Sequence, residues 1–151
     1  MIALLDANLF VPTWIIDPLL SLAEAGLCEP AWSARVMDEA RLAIMEVRHV
    51  PDVRARGFLD AICRAFPMAM AEDWERFEPD VNLSDPNDGH VVAAVRRAGA
   101  ETIVTFNLKD FPADELSRYG LHAQSPDVFL TSVFDAHPVS YTHLRAHETE
   151  A

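Results

Sequence analysis

The stretch Leu83-Ser84-Asp85-Pro86-Asn87-Asp88-Gly89-His90, followed at once by Val91-Val92-Ala93-Ala94-Val95, decides how this chain is read. Asp85 is a favoured helix N-cap, Pro86 suits the first helical position and Asp88 falls at the third. Val91, Ala94, Val95 and Ala98 then recur at helical spacing and predict one buried face, stopped at Gly99. Glu101–Phe106 follows as a short buried strand running into Asn107-Leu108-Lys109-Asp110. An acidic helix start, then a strand delivering polar groups at its carboxyl end, is how an open α/β sheet builds a site. A simpler reading stands beside it, with Asp85 a plain cap and Asp88 an acid favoured by the helix dipole.

Toward the amino end, Ile2–Leu5 is a short apolar run with Asp6-Ala7-Asn8 directly behind it. It predicts a first, central strand with Asp6 at its carboxyl end, although a turn-initiating Asp would look the same. Asp17-Pro18 predicts a helix from Pro18 to the stop at Gly26. A second helix is expected from about Ala31 to Val47, capped near Pro30 or Ser33, with Trp32, Val36, Ala40, Ala43 and Val47 as its apolar stripe. Glu39 falls on the margin of that stripe, where a carboxylate needs a partner; Arg35 is one candidate. A third helix is expected from Pro51 to Phe66, and Met68–Asn82 has room for a short strand and a loop around Trp74. Beyond Pro112 the pattern predicts a short helix over Ala113–Tyr119, an edge strand over Leu121–Ala123 and a helix over Val128–Phe134 capped by Ser125-Pro126-Asp127.

At 151 residues, half of them hydrophobic, the chain is expected to hold one domain with a real core. A formal charge of −12 argues against a general nucleic-acid surface, so any such role needs metal ions or a local basic patch. Arg41, Arg48, Arg54, Arg56 and Arg64 form the one basic neighbourhood, read either as salt-bridged helix faces or as phosphate contacts. Cys28 and Cys63 lack metal-knuckle spacing and read as reduced thiols. With no basic leader and no apolar run near the roughly 20 residues that span a bilayer, a soluble cytoplasmic protein without a membrane partner is expected.

The last residues, Val139–Ala151, depart from the rest in style and resemble the translation of a sequencing adapter, a non-native tail. His143 and His147 stand there at i,i+4 but lack a third ligand. The expected division is therefore a domain over 1–138 and an atypical tail over 139–151.

Asp6, Glu39, Asp88 and Asn107 now stand out as a set, with Asp85 and Asp110 flanking the last two. Three converging carboxylates repel one another unless a cation sits among them, and oxygen ligands suit Mg²⁺ or Mn²⁺. Such clusters suit metal-assisted attack of water on a phosphodiester.

Leu5-Asp6-Ala7-Asn8, Trp32-Ser33 leading to Glu39, Asp85-Pro86-Asn87-Asp88-Gly89-His90-Val91-Val92 and Ile103-Val104-Thr105-Phe106-Asn107-Leu108-Lys109-Asp110 together resemble a PIN-domain protein of the VapC-like toxin–antitoxin ribonuclease group. The likeness implies an α/β fold, a three-layer α/β/α sandwich around a parallel sheet, with divalent-metal-dependent endoribonuclease activity. Carried over by position, Asp6, Glu39 and Asp88 are the metal-binding catalytic carboxylates. Asn107 takes a fourth catalytic position that is Asp in many relatives. Asn8 and Asn107 would orient ligands or water, Thr105 would touch a phosphate oxygen, and Asp85 and Asp110 would support the ligands or replace them. Arg41, Arg48, Arg54 and Arg56 would hold the RNA backbone. The expected cofactor is Mg²⁺ or Mn²⁺, and the expected partners are RNA, a cognate antitoxin and a second copy in a homodimer.

Two other classes compete. A phosphatase or phospho-acceptor domain also places Asp after the first strand, but wants a second Asp two residues on, where Asn8 stands. A non-catalytic PIN-fold module for protein partners would fit the acidic charge and the uncharged Asn107.

Overall fold

The computed structural model describes residues 1–137. The expected tail and its two histidines lie outside the described residues. Four short strands, β1 (Ile2–Leu5), β2 (Glu29–Ala31), β3 (Thr102–Val104) and β4 (His122–Gln124), form one parallel sheet in the order β2-β1-β3-β4. Ala3 pairs with Pro30 on one side and Thr102 on the other, so β1 is an inner strand. The connecting helices are α1 (Thr13–Glu24), α2 (Ala34–Arg48), α3 (Asp52–Ala65), α4 (Gly89–Ala98), α5 (Ala113–Leu116) and α6 (Pro126–Ala136).

Side chains alternate across a strand, and here the two faces feed two cores. Ala3, Leu5 and Val104 join Phe10, Ile16, Val36, Leu59 and Phe129, which come from the turn after β1 and from α1, α2, α3 and α6. Leu4 and Ile103 join Val91–Val95, Leu116 and Leu121 on the other face, beside α4 and α5. Helices therefore cover both faces of the parallel sheet, an α/β/α sandwich. Sheets of this kind are buried on both sides and need near-continuous apolar strands.

Several local readings change. The first helix begins at Thr13, so Pro18 lies inside it rather than at its start. Proline removes one hydrogen bond, which would run back to exposed Trp14, whereas Ile15, Ile16, Leu19 and Leu22 bury together. Packing outweighs the local start signal. Glu29–Ala31, assigned in part to the second helix, is instead strand β2. Trp32 is thereby taken off the helix face. It bridges to Met70, and its N–H donates to the Ala69 carbonyl at 3.0 Å. Val47 is exposed, and Met37 and Ile44 complete the buried face of α2 with Val36 and Ala40. The strand expected over Glu101–Phe106 shortens to Thr102–Val104.

Ser33 caps α2 by accepting the Val36 N–H at 3.1 Å, and the residue is fully buried. Ser33→Ala leaves that N–H without a partner in a site closed to water. We expect a loss of about 1–2 kcal/mol in urea unfolding, with an unchanged m-value.

Candidate functional site

Asp6 begins where β1 ends. Its backbone N–H donates to the Val104 carbonyl at 3.0 Å, which fixes the residue between the two inner strands. Its carboxylate caps a 3-10 turn over Ala7–Phe10, accepting the Ala7 N–H at 2.8 Å. The other oxygen, Oδ2, accepts the Thr105 hydroxyl at 2.8 Å.

Thr105 Oγ1 accepts the Asn107 N–H at 3.0 Å and the Asn8 amide at 3.4 Å. Its own proton is committed to Asp6. That corrects the expected phosphate contact: Thr105 is a buried organiser of Asp6. Asn8 also accepts the Phe106 N–H at 3.4 Å, tying the two strand-end loops together.

Asp88 arrives from the other side of the sheet. Asp85 accepts the Asn87 N–H at 3.0 Å and caps a 3-10 turn over Pro86–Asp88, which runs straight into α4. The sequence reading placed this cap on the α-helix itself; one tighter turn intervenes. Glu115 of α5 holds the approach, accepting the Ser84 N–H at 2.6 Å and hydroxyl at 2.8 Å.

Glu39, 44 % exposed on α2, pairs with His90 rather than Arg35: Oε1 lies 3.2 Å from Nε2. His90 is 1 % exposed, and its Nδ1 has no hydrogen-bond partner among the described residues. A proton on Nε2 serves Glu39, whereas one on Nδ1 would be buried unpaired. The geometry favours the Nε2–H tautomer, with the ring seated 6.0 Å from Trp74. The sequence alone assigns His90 no role. The available signal was its place two residues after Asp88, at the head of a helix buried from Gly89 to Val95.

The carboxylates feel one another. Asp88 is pushed up to about 6, by burial first and then by Asp110, Asp85 and Asp6, with His90 opposing. Burial is also the main reason that the Asp6 carboxyl is raised; the Thr105 and Ala7 hydrogen bonds oppose it, and Glu39 adds a smaller push upward. Asp6, Glu39 and Asp88 therefore share one electrostatic neighbourhood. Hard oxygen donors that raise one another's proton affinity have the chemistry to hold a divalent cation. They do not form a ready cage: among the described residues no three acidic, histidine or cysteine side chains are grouped to hold a metal. Glu39 is turned to His90, and Asp6 to Thr105.

Asn107 contributes its backbone to Thr105, while the residue itself is exposed. The arginines divide differently from the RNA-holding expectation. Arg41 bridges Asp38 at 2.7 Å and Asp52 at 2.6 Å, and Arg56 reaches Asp52 at 2.7 Å. Arg48 donates to the Val11 carbonyl and lies over the Phe58 ring. Arg41 and Arg48 tie α2 to its neighbours, because α2 and α3 pack side by side, whereas Arg56 pairs with Asp52 along the exposed side of α3 itself. Arg54 is left exposed. A cavity of about 810 Å³ lies at the opposite, amino end of the strands between Cys28–Ala31 and Phe66–Ala71, away from these acids.

A doubly covered parallel sheet with Asp6 at the carboxyl end of an inner strand, and Asp88 and Glu39 on flanking helical elements, defines an α/β domain with an acidic site. The family model described as PIN domain matches residues 3–109, and the chain belongs to the PIN domain family. Over 48 residues it is 52% identical to the Mycobacterium tuberculosis protein named "Putative ribonuclease VapC50". That stretch is 32% of this chain and 28% of that protein, well under two thirds of the relative's length. The fold also resembles a chain in the crystal structure of VapBC2 from Rickettsia felis bound to a DNA fragment from their promoter. The TM-score is 0.57 at 18% identity, over 83% of this chain and 98% of the other.

Proposed function

We propose that this chain is a divalent-metal-dependent endoribonuclease and the toxin component of a toxin–antitoxin pair. One observation carries the reading: Asp6, at the carboxyl end of β1, raises the carboxyl of Asp88 at the head of α4, and Glu39 of α2 in turn raises that of Asp6, so acids from three separate elements act on one another. Membership of the PIN family and the relatives' names support it.

Asp6, Asp88 and Glu39 would hold Mg²⁺ or Mn²⁺. The ion supplies a water made acidic enough to attack near neutral pH and a counter-charge for the phosphodiester. Thr105 orients Asp6 and partly offsets the burial that raises its carboxyl, His90 orients Glu39, and Asp110 and Asp85 deepen the negative potential. Asn8 links the loops, and the exposed Asn107 would meet substrate. We place the protein in the cytoplasm as a homodimer held by an antitoxin. No helix among the described residues is long and apolar enough to cross a membrane.

The test is cleavage of a mixed RNA panel by the purified chain with Mn²⁺, alongside EDTA. Cleavage that stops with EDTA is expected. No cleavage, together with no Mn²⁺-induced rise in melting temperature, overturns the reading. It would favour the second one, a PIN-fold module for protein partners, which the lack of a ready metal cage among the described residues and the uncharged Asn107 support.

His90 offers a separate check. His90→Ala should raise the Mn²⁺ concentration needed for half-maximal thermal stabilisation by about tenfold, as loss of a ligand's outer partner generally does. His90→Gln, which keeps a donor, should recover part of it. Equal Mn²⁺ dependence in all three proteins would remove His90 from the site.

A further inference from the structure

We propose that Trp14 and Phe106 form a base-stacking platform beside the acidic site, which holds a base next to the phosphodiester that is cut. The proposal rests on the ribonuclease reading for its substrate, but on a separate part of the surface for its evidence.

The chain buries two of its three tryptophans: Trp32 is 0% and Trp74 8% exposed. Trp14 is 67% exposed and lies against Phe106, itself 42% exposed, with ring centroids 6.2 Å apart. Leu108, two residues beyond Phe106, is exposed as well. An exposed pair of rings gains little from folding, since most of its area still faces water.

Their placement links them to the acids. Phe106 directly follows Thr105, whose hydroxyl donates to Asp6, and its N–H donates to Asn8. Trp14 lies in the first turn of α1, just past the 3-10 turn that Asp6 caps. Both rings thus stand on the two loops that form the Asp6 end of the site. A strand whose phosphodiester reached Asp6 and Asp88 would carry a neighbouring base over this pair.

Charge makes the platform useful. A chain of net charge −12, with Arg41 and Arg48 engaged between helices and Arg56 neutralised by Asp52 on the surface, has little electrostatic grip on a phosphate backbone. Stacking on aromatic rings is indifferent to backbone charge and accepts any base. Bases within a duplex are already stacked on one another, so the platform selects loops, bulges and single strands.

The probe is a short oligouridylate, added to the full chain with EDTA so that nothing is cut, and compared with an abasic oligomer of equal length and charge. Because Trp32 and Trp74 are buried, fluorescence quenching reports on Trp14. Oligouridylate should quench, and the abasic oligomer should not. Trp14→Ala and Phe106→Ala should each weaken oligouridylate binding by about fivefold or more, measured by anisotropy of a labelled oligomer, while Trp14→Phe keeps most of it. Where the chain cuts RNA with Mn²⁺, the alanine variants should raise KM and leave kcat nearly unchanged.

Equal binding of the two oligomers, or unchanged affinity in Trp14→Ala, overturns the platform. If Mn²⁺-dependent cleavage persists in that case, the ribonuclease reading survives it. Conversely, quenching by oligouridylate in a chain that cuts nothing retains the platform and removes the ribonuclease. Lost self-association in Trp14→Ala, with no quenching by RNA, assigns the patch to a second copy and also overturns the proposal.

Discussion

Replacing Asp88 by Asn should lower Mn²⁺-dependent RNA cleavage by about 100-fold or more, and yet stabilise the metal-free protein at pH 7.5. The first half follows from ligand chemistry. Outer partners of metal ligands are already worth about 10- to 100-fold, and the ligand itself is worth at least that much. The second half follows from linkage. Asp88 sits at about 6 in the folded chain against an ordinary value of 3.8, so folding takes up a proton between those values. Its contribution is most favourable below about pH 4 and is lost as pH rises through about 6. At pH 7.5 the carboxylate is ionised against Asp110, Asp85 and Asp6. Asparagine keeps the shape and removes that repulsion.

Two pKa steps would correspond to about 3 kcal/mol if fully felt. Asp88 is only partly buried, so solvent screening reduces this to about 1 kcal/mol, or roughly 3 °C in melting temperature. Between pH 7.5 and 5.5 the metal-free wild type should gain on the variant's reference, and the gap between them should close. Mn²⁺ should raise the wild-type melting temperature most at pH 7.5, where it does not compete with the proton, and should do much less for Asp88→Asn. A variant that is no more stable than wild type at pH 7.5 would show that Asp88 is not strained by its neighbours. One that still cleaves at the wild-type rate would remove it from the site.

Trp32→Ala carries the largest expected stability effect, about 3–5 kcal/mol in urea unfolding. Trp32 is fully buried, edge-on to Phe10 at 5.7 Å and to Phe66 at 6.3 Å. It joins the turn after β1 to the end of α3, and its backbone pairs with the segment around Met70. A loss of that size approaches the whole stability of a marginal domain, so expression as an unfolded chain is one form the result takes. The residue directly precedes the Ser33 cap of α2, which carries Glu39, so a folded variant should also need more Mn²⁺ for the same stabilisation. A loss below about 1 kcal/mol would mean that the site collapses around the truncated side chain.

Much of the sandwich was legible because its signals are local. Ile2–Leu5 is too short and apolar for a surface helix, and Asp6 marks its end. The Asp85-Pro86 start and the Gly99 stop bracket α4, and Gly99 does adopt a left-handed φ of 73°. Ser125 caps α6 as its motif required. The start of α1 and strand β2 were not legible. Asp17-Pro18 gives a start signal that only the burial of Ile15, Ile16, Leu19 and Leu22 overrides. Three residues, one of them proline, show no alternation; β2 exists because β1 presents its edge to it.

The same division holds at the site. Which residue types stand at positions 6, 39, 88 and 107 is a property of the sequence alone, as is the acidic charge that any phosphate-handling role must overcome. Their partners belong to the tertiary structure. Thr105 is 99 positions from the Asp6 carboxylate it steadies, and His90, not Arg35, faces Glu39. Arg41 is claimed by Asp52 across a helix pair. Hydrogen bonds and ion pairs act over a few ångströms, and only folding determines which distant residues come within that range.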